Sequence, residues 1–175
     1  KSKYTNCLFF LFKPTDKDAF EMFETKITGF DLANISYTAS AGCTTYSNFT
    51  NQTIELEKAK TYPLMVSLGT CGANFNKIAK VFIDWNGDGD FNDNNELVAT
   101  SNMINGNGLL TANLSVPATV NINSFSLLRV VLTEVNDANV VQACGIYAKG
   151  ETQDYRLLVI NPSNDVSITN ITSPS

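Results

Sequence analysis

The chain has 175 residues, a formal net charge of −5 and no histidine. An acidic balance without clustered Lys and Arg excludes a nucleic-acid partner, and the lack of imidazole excludes Ser-His-Asp and Cys-His nucleophilic systems and most zinc and iron sites. A hydrophobic fraction of 43% supplies one core, and the use of 11 Phe with recurrent Thr, Val and Ile favours strands over helices.

In chain order, the first element is a strand over Cys7–Phe12, whose apolar run Leu8–Phe12 is far shorter than the roughly 20 residues that cross a bilayer. No membrane insertion is therefore expected. The chain opens at Lys1 without an initiator Met or a signal-peptide pattern, as a mature or excised fragment does. Asp16 can cap a short helix over Asp16–Thr25. Strands are then predicted at Phe20–Phe30, Ile35–Ala39, Gln52–Leu56, Tyr62–Leu68, Ile78–Trp85, Glu96–Asn102, Leu109–Val116, Ser126–Thr133 and Asp154–Ile160. Pro14-Thr15-Asp16, Asn86-Gly87, Asn105–Gly108 and Asn136-Asp137 supply turn signals between them. This spacing predicts an all-β chain, an antiparallel β-sandwich of about 8–10 strands. Residues 1–160 read as that sandwich, and 161–175 as a linker or the start of a following module.

The sharpest local signal is the acidic loop Asp84–Glu96. Asp84, Asn86, Asp88 and Asp90 alternate, with Gly89 between the last two. Calcium is a hard cation that takes six to eight oxygens, and oxygens at alternate positions of a tight loop converge on one point. Gly89 stands where the turn needs a backbone without a Cβ. Asp90 can contribute its carbonyl, Glu96 can close the site with its carboxylate, and Asp93 is a spare ligand. The flanking Lys80–Trp85 run is strand-like, so EF-hand ligand chemistry is expected on a β scaffold. Magnesium fits less well, because it keeps several of its waters. The alternative is an acidic surface hairpin that binds nothing.

The residues around this loop, Ile83-Asp84-Trp85-Asn86-Gly87-Asp88-Gly89-Asp90-Phe91 with Glu96-Leu97-Val98, resemble the GEVED domain, an accessory domain of secreted bacterial proteins, frequent in Bacteroidetes. That family is named for a Gly-Glu-Val-Glu-Asp-Tyr motif. Here the stretch is Gly150-Glu151-Thr152-Gln153-Asp154-Tyr155, so the two central residues depart while Gly150, Glu151, Asp154 and Tyr155 stand. Cys144-Gly145 and Tyr46-Ser47-Asn48-Phe49-Thr50 add to the likeness. The resemblance implies a β-sandwich attached to secreted peptidases, adhesins or other multidomain proteins, with a following Ig-like module from Asn164 onward.

Four widely spaced cysteines suggest two disulfides and an oxidising compartment, and spacing leaves three connectivities open. The favoured expectation is Cys43–Cys71 and Cys7–Cys144. The first would tie the Ser40–Tyr46 loop to the strand end before Asn74, and the second would staple the N-terminal strand beside the C-terminal one. Trp85 reads either as a platform for a sugar ring or as packing beneath the loop. Tyr37, Tyr46, Phe49 and Tyr147 can form an aromatic patch. The expected function is a non-catalytic, calcium-stabilised extracellular or cell-surface module. Its partners would be neighbouring domains of the same polypeptide, or an extracellular glycan or protein. A carbohydrate- or matrix-binding module and a subunit of an adhesive filament are the alternatives.

Overall fold

The computed structural model describes residues 24–162. The expected strand Cys7–Phe12, the helix over Asp16–Thr25 apart from its last two residues, Cys7 and the segment 163–175 lie outside the described residues. Ten strands follow: β1 Thr25–Leu32, β2 Ile35–Thr38, β3 Tyr46–Glu57, β4 Thr61–Thr70, β5 Asn76–Ile83, β6 Leu97–Thr100, β7 Ile104–Asn105, β8 Gly108–Ser115, β9 Phe125–Thr133 and β10 Gly150–Ile160. A 3-10 turn over Ala138–Val140, its Asn139 N–H capped by the Asp137 side chain, interrupts the arm between β9 and β10.

One sheet has the order β2-β1-β4-β8 and the other β3-β10-β9-β5-β6, with β7 paired to β5. All pairs are antiparallel except β10 with β3. The sandwich is thus not purely antiparallel as expected. A parallel pair needs a long crossover, and here the rest of the domain provides it. Pairing with β10 also explains why β3 begins at Tyr46 and not at Gln52. The polar Tyr46–Asn51 stretch lacks strand patterning, but it lies in register with Thr152–Tyr155. The ladder then skips to Arg156 against Thr53, and the Asn48 Oδ1 accepts from the Thr50 N–H at 2.9 Å within that bulge.

The alternation of each strand fills the space between the sheets. Phe30 and Ile27 of β1, Val66 and Leu68 of β4, and Leu110 and Leu114 of β8 face Val81, Leu128, Val130, Tyr155 and Leu157 of the other sheet. Tyr155 stacks on Phe30 with centroids 4.3 Å apart and on Phe49 at 5.1 Å. β5 and β9 are buried on both faces. Their outer residues Ile78, Phe82, Leu127 and Val131 make a second apolar layer with Phe91 of the acidic loop and Val141 of the β9–β10 arm. Lys80 fastens that arm, donating from Nζ to the Val141 carbonyl at 3.0 Å.

Cys43 and Cys71 are joined with Cα atoms 6.2 Å apart, tying the loop before β3 to the end of β4. Cys144 is itself disulfide-bonded; Cys7, its expected partner, lies outside the described residues.

Candidate metal centre

The acidic loop leaves the end of β5 and returns at β6, so both of its ends are anchored in the larger sheet. Asp84 is fully buried. Its Oδ1 accepts from the Gly87 N–H at 2.6 Å and its Oδ2 from the Gly89 N–H at 3.1 Å. Gly89 has φ +101°, a conformation other residues rarely adopt. At the far end the buried Glu96 accepts from the Trp85 N–H at 3.0 Å through Oε1 and from the Asp93 N–H at 3.2 Å through Oε2. Burial pushes its carboxyl up, the two N–H groups oppose that shift, and the charges of Asp84 and Asp93 add to it. These two carboxylates fold the loop from within.

A third set of acids faces outward. Ligand oxygens of Asp88, Asp90 and Asp93 lie within 4.8 Å of one another. The chain from Asn86 to Asn92 is held open toward them by a run of side-chain caps. Asn86 Oδ1 accepts from the Asp88 N–H (2.9 Å), Asp88 Oδ1 from the Asp90 N–H (3.1 Å) and Asp90 Oδ1 from the Asn92 N–H (2.9 Å). The amide of Asn86 points its Nδ2 at Asp88 Oδ2, 3.0 Å away, and also at Asp93 Oδ2. Two carboxylates thus converge on the side-chain amide of Asn86.

Of the residues singled out from sequence, Asp88, Asp90 and Asp93 come together as one oxygen cluster, with the amide of Asn86 against it. Asp84 and Glu96 bond to backbone N–H groups at the two ends of the loop. An accepting carboxylate oxygen keeps a further lone pair, so those bonds leave ligation open. The donor set is all oxygen and anionic, which suits a hard divalent cation and not a soft one.

Trp85 packs beneath the loop. It is 8% exposed, and its Nε1 donates to the Asn95 carbonyl at 3.1 Å. A stacking platform on the surface is thereby excluded. The four aromatic residues considered together form no single patch. Tyr37 meets Phe49 at 4.6 Å, the Tyr46 hydroxyl donates to Asp154 Oδ2 at 3.1 Å, and Tyr147 packs with the second apolar layer.

The stretch Gly150–Tyr155 opens β10 in the middle of the sheet. Its odd-numbered residues point inward as a relay. The Tyr155 hydroxyl donates to Gln153 Oε1 at 2.8 Å, Gln153 Nε2 donates to Glu151 Oε1 at 2.7 Å, and Glu151 Oε2 accepts from the Ile27 N–H of β1 at 2.7 Å. Ser47 of β3 donates to Glu151 Oε1 at 2.9 Å. Glu151 thus clasps one sheet to the other. On the outer face Asp154 takes a bidentate pair from Arg129, with Nε and a terminal nitrogen each at 2.7 Å. Arg129 also donates to the Ala143 carbonyl at 3.1 Å and lies over the Phe91 ring at 5.6 Å, so it joins β10, the arm and the acidic loop. Sequence reasoning missed Arg129 and Gln153. A lone Arg inside Leu127–Thr133, otherwise apolar to that point, was the available signal, because a buried charge requires a partner.

Burial raises the Glu151 carboxyl above its usual 4.5, opposed by Gln153, the Ile27 N–H, Ser47 and the charge of Lys26. A raised native pKa means that the native state holds the proton more tightly. The stability from this group is full below the unfolded value and is lost as pH rises through the folded one. Urea midpoints of the wild type are therefore expected to fall more steeply as pH rises above 4.5 than those of Glu151→Gln. The variant is also less stable throughout, because its amide turns a donor toward donors. Parallel pH profiles would refute the assignment.

Residues 79–158 match the family model described as the GEVED domain. No curated protein matches the chain. Among solved structures, the chain is similar to the CARDB domain of a Pyrococcus furiosus protein crystallised with di-metal ions. That match has 9% identity over 81% of this chain and 97% of that one, with a TM-score of 0.45. It is also similar to a family 123 glycoside hydrolase from Clostridium perfringens, at 12% identity over 67% of this chain and 23% of that one, with a TM-score of 0.42.

Proposed function

We propose, from the match of residues 79–158 to the GEVED domain family model, that the chain is a non-catalytic accessory module of a larger extracellular protein whose acidic loop is set by one calcium ion. The observation that carries the ion is the convergence of Asp88, Asp90 and Asp93 within 4.8 Å. Like charges that close repel, and a divalent cation offsets the repulsion. Asp88, Asp90 and Asp93 would hold the ion, with Asn86, Asp84 and Glu96 as the remaining oxygen sources. Its role is structural, since the loop fixes β5 to β6 and places Phe91 in the second apolar layer.

An oxidising compartment is supported by the Cys43–Cys71 disulfide. Among the described residues no helix is long and apolar enough to cross a membrane. The non-catalytic reading is supported by how the buried acids are used: Asp84, Glu96, Glu151 and Asp154 are each bonded within the fold. Residues 1–160 would form the module and 161–175 its connection to the next one, so that its first partners are neighbouring domains of its own polypeptide.

The test is a thermal melt in EDTA, then with calcium or magnesium restored. Saturating calcium is expected to raise the midpoint by roughly 5–10 °C, with magnesium giving less. Asp88→Asn with Asp90→Asn should erase that response. The same variant should melt higher than wild type in EDTA, where only the repulsion is removed. A wild-type melt that neither EDTA nor calcium moves would sink the ion site.

A further inference from the structure

Beside the acidic loop lies a cleft of about 400 Å³, between Asp93–Glu96 on one side and Pro117–Asn121 on the other, with Trp85 at its floor. We propose that this cleft binds a neutral glycan.

The walls are fixed in advance. Trp85 is locked to Asn95 through its indole N–H, and Glu96 holds the backbone of both Trp85 and Asp93. Opposite, Val120 is buried in the main core, its N–H donating to the Pro117 carbonyl at 3.4 Å, and the Asn123 N–H donates to the Val159 carbonyl at 2.8 Å. A ligand entering here does not have to order the loops, which removes much of the usual cost of binding. The size falls within the roughly 300–1,000 Å³ of ligand clefts.

The lining chemistry selects the ligand class. Asn94, Asn121 and Thr119 are exposed, and no hydrogen bond among the described residues uses their side chains. A carboxamide presents an acceptor and two donors, and a hydroxyl presents both, so this surface matches sugar hydroxyls, which also donate and accept. No Lys or Arg lines the cleft, and Asp93 stands at its edge. Phosphates, sulfated sugars and uronic acids would meet repulsion from Asp93 and Glu96, with no cationic side chain in the lining to offset it. The predominance of amides over apolar side chains disfavours a lipid or a flat aromatic ligand. The inference does not rest on an ion in the acidic loop.

Trp85 is the chain's single Trp, so its emission reports on the cleft floor. The intact chain is titrated with neutral oligosaccharides ending in glucose, galactose, mannose or N-acetylglucosamine, and with uronic acid oligosaccharides, each in calcium and in EDTA. A saturable emission change is expected with at least one neutral oligosaccharide and none with the acidic ones. Asn94→Ala with Asn121→Ala should weaken it roughly tenfold while leaving the melting temperature unchanged. Thr119→Phe, which fills the cleft from an exposed position, should abolish it. Absence of saturation by every neutral sugar, an equal response to acidic sugars, or unchanged affinity in both variants would overturn the proposal. A glycan response that persists in EDTA keeps it standing even if the calcium melt fails.

Discussion

Gly150→Ala is expected to lower the melting midpoint by roughly 10 °C or more. Gly150 begins β10 opposite Thr133 with φ +149°. A Cβ there would sit 2.0 Å from the Leu132 carbonyl oxygen and 2.9 Å from the Thr133 Cα. Both obstacles are backbone of the neighbouring strand, so neither can swing aside. The disfavoured backbone region costs about 1–3 kcal/mol and the overpacking about 1–3 kcal/mol more. Relief comes only by moving the start of β10, and Glu151 is the next residue, so the clasp to Ile27 and Ser47 loosens with it. The control is Gly72→Ala, where the added Cβ meets nothing within 4 Å and little change is expected. Equal midpoints for the two variants would show that Gly150 does not carry this constraint.

The second large effect is expected at Arg129. Its side chain and that of Asp154 are 7% and 6% exposed, so the pair is buried and its removal is felt in full. Arg129→Met leaves the Asp154 carboxylate desolvated with the Tyr46 hydroxyl beside it, an expected loss of about 3–5 kcal/mol. Arg129→Met with Asp154→Leu removes both charges and should be more stable than Arg129→Met alone, because an unpaired buried charge costs more than an absent pair. Urea unfolding of the four proteins closes the cycle, and additive losses would refute the coupling. Since Arg129 also lies over Phe91 of the acidic loop, the single variant is further expected to weaken the proposed calcium response.

Much of this was legible in the residues themselves. Alternating or continuously apolar runs marked β4, β5, β8 and β9 within a few residues, because β4 and β8 put one face on the main core and β5 and β9 are buried on both. The loop announced itself through four alternating oxygen side chains and a glycine in the one place a turn demands it. β3 and β10 were drawn too short, as Tyr46–Asn51 and Gly150–Gln153 are polar. Their strand state comes from pairing with each other and from the Glu151 relay, neither of which has a local signature. The division of labour within the acidic loop was hidden for a similar reason. Spacing showed that Asp84 and Glu96 could approach an ion, but not that their carboxylates would cap the loop's own N–H groups. Arg129 was visible as a charge in an apolar strand, and only the fold supplied Asp154 opposite it.

The last strand among the described residues is not at the margin of its sheet. β10 lies between β3 and β9, so a chain emerging from its N-terminus holds two open strand edges apart until residue 160 has appeared. Until then β3 lacks its β10 partner, and the inward clasp from Glu151 to β1 cannot close. Closure of the larger sheet around β3 therefore waits for the C-terminal strand. A copy broken off before Gly150 would expose the unpaired edges of β3 and β9 to its neighbours, an open invitation to self-association.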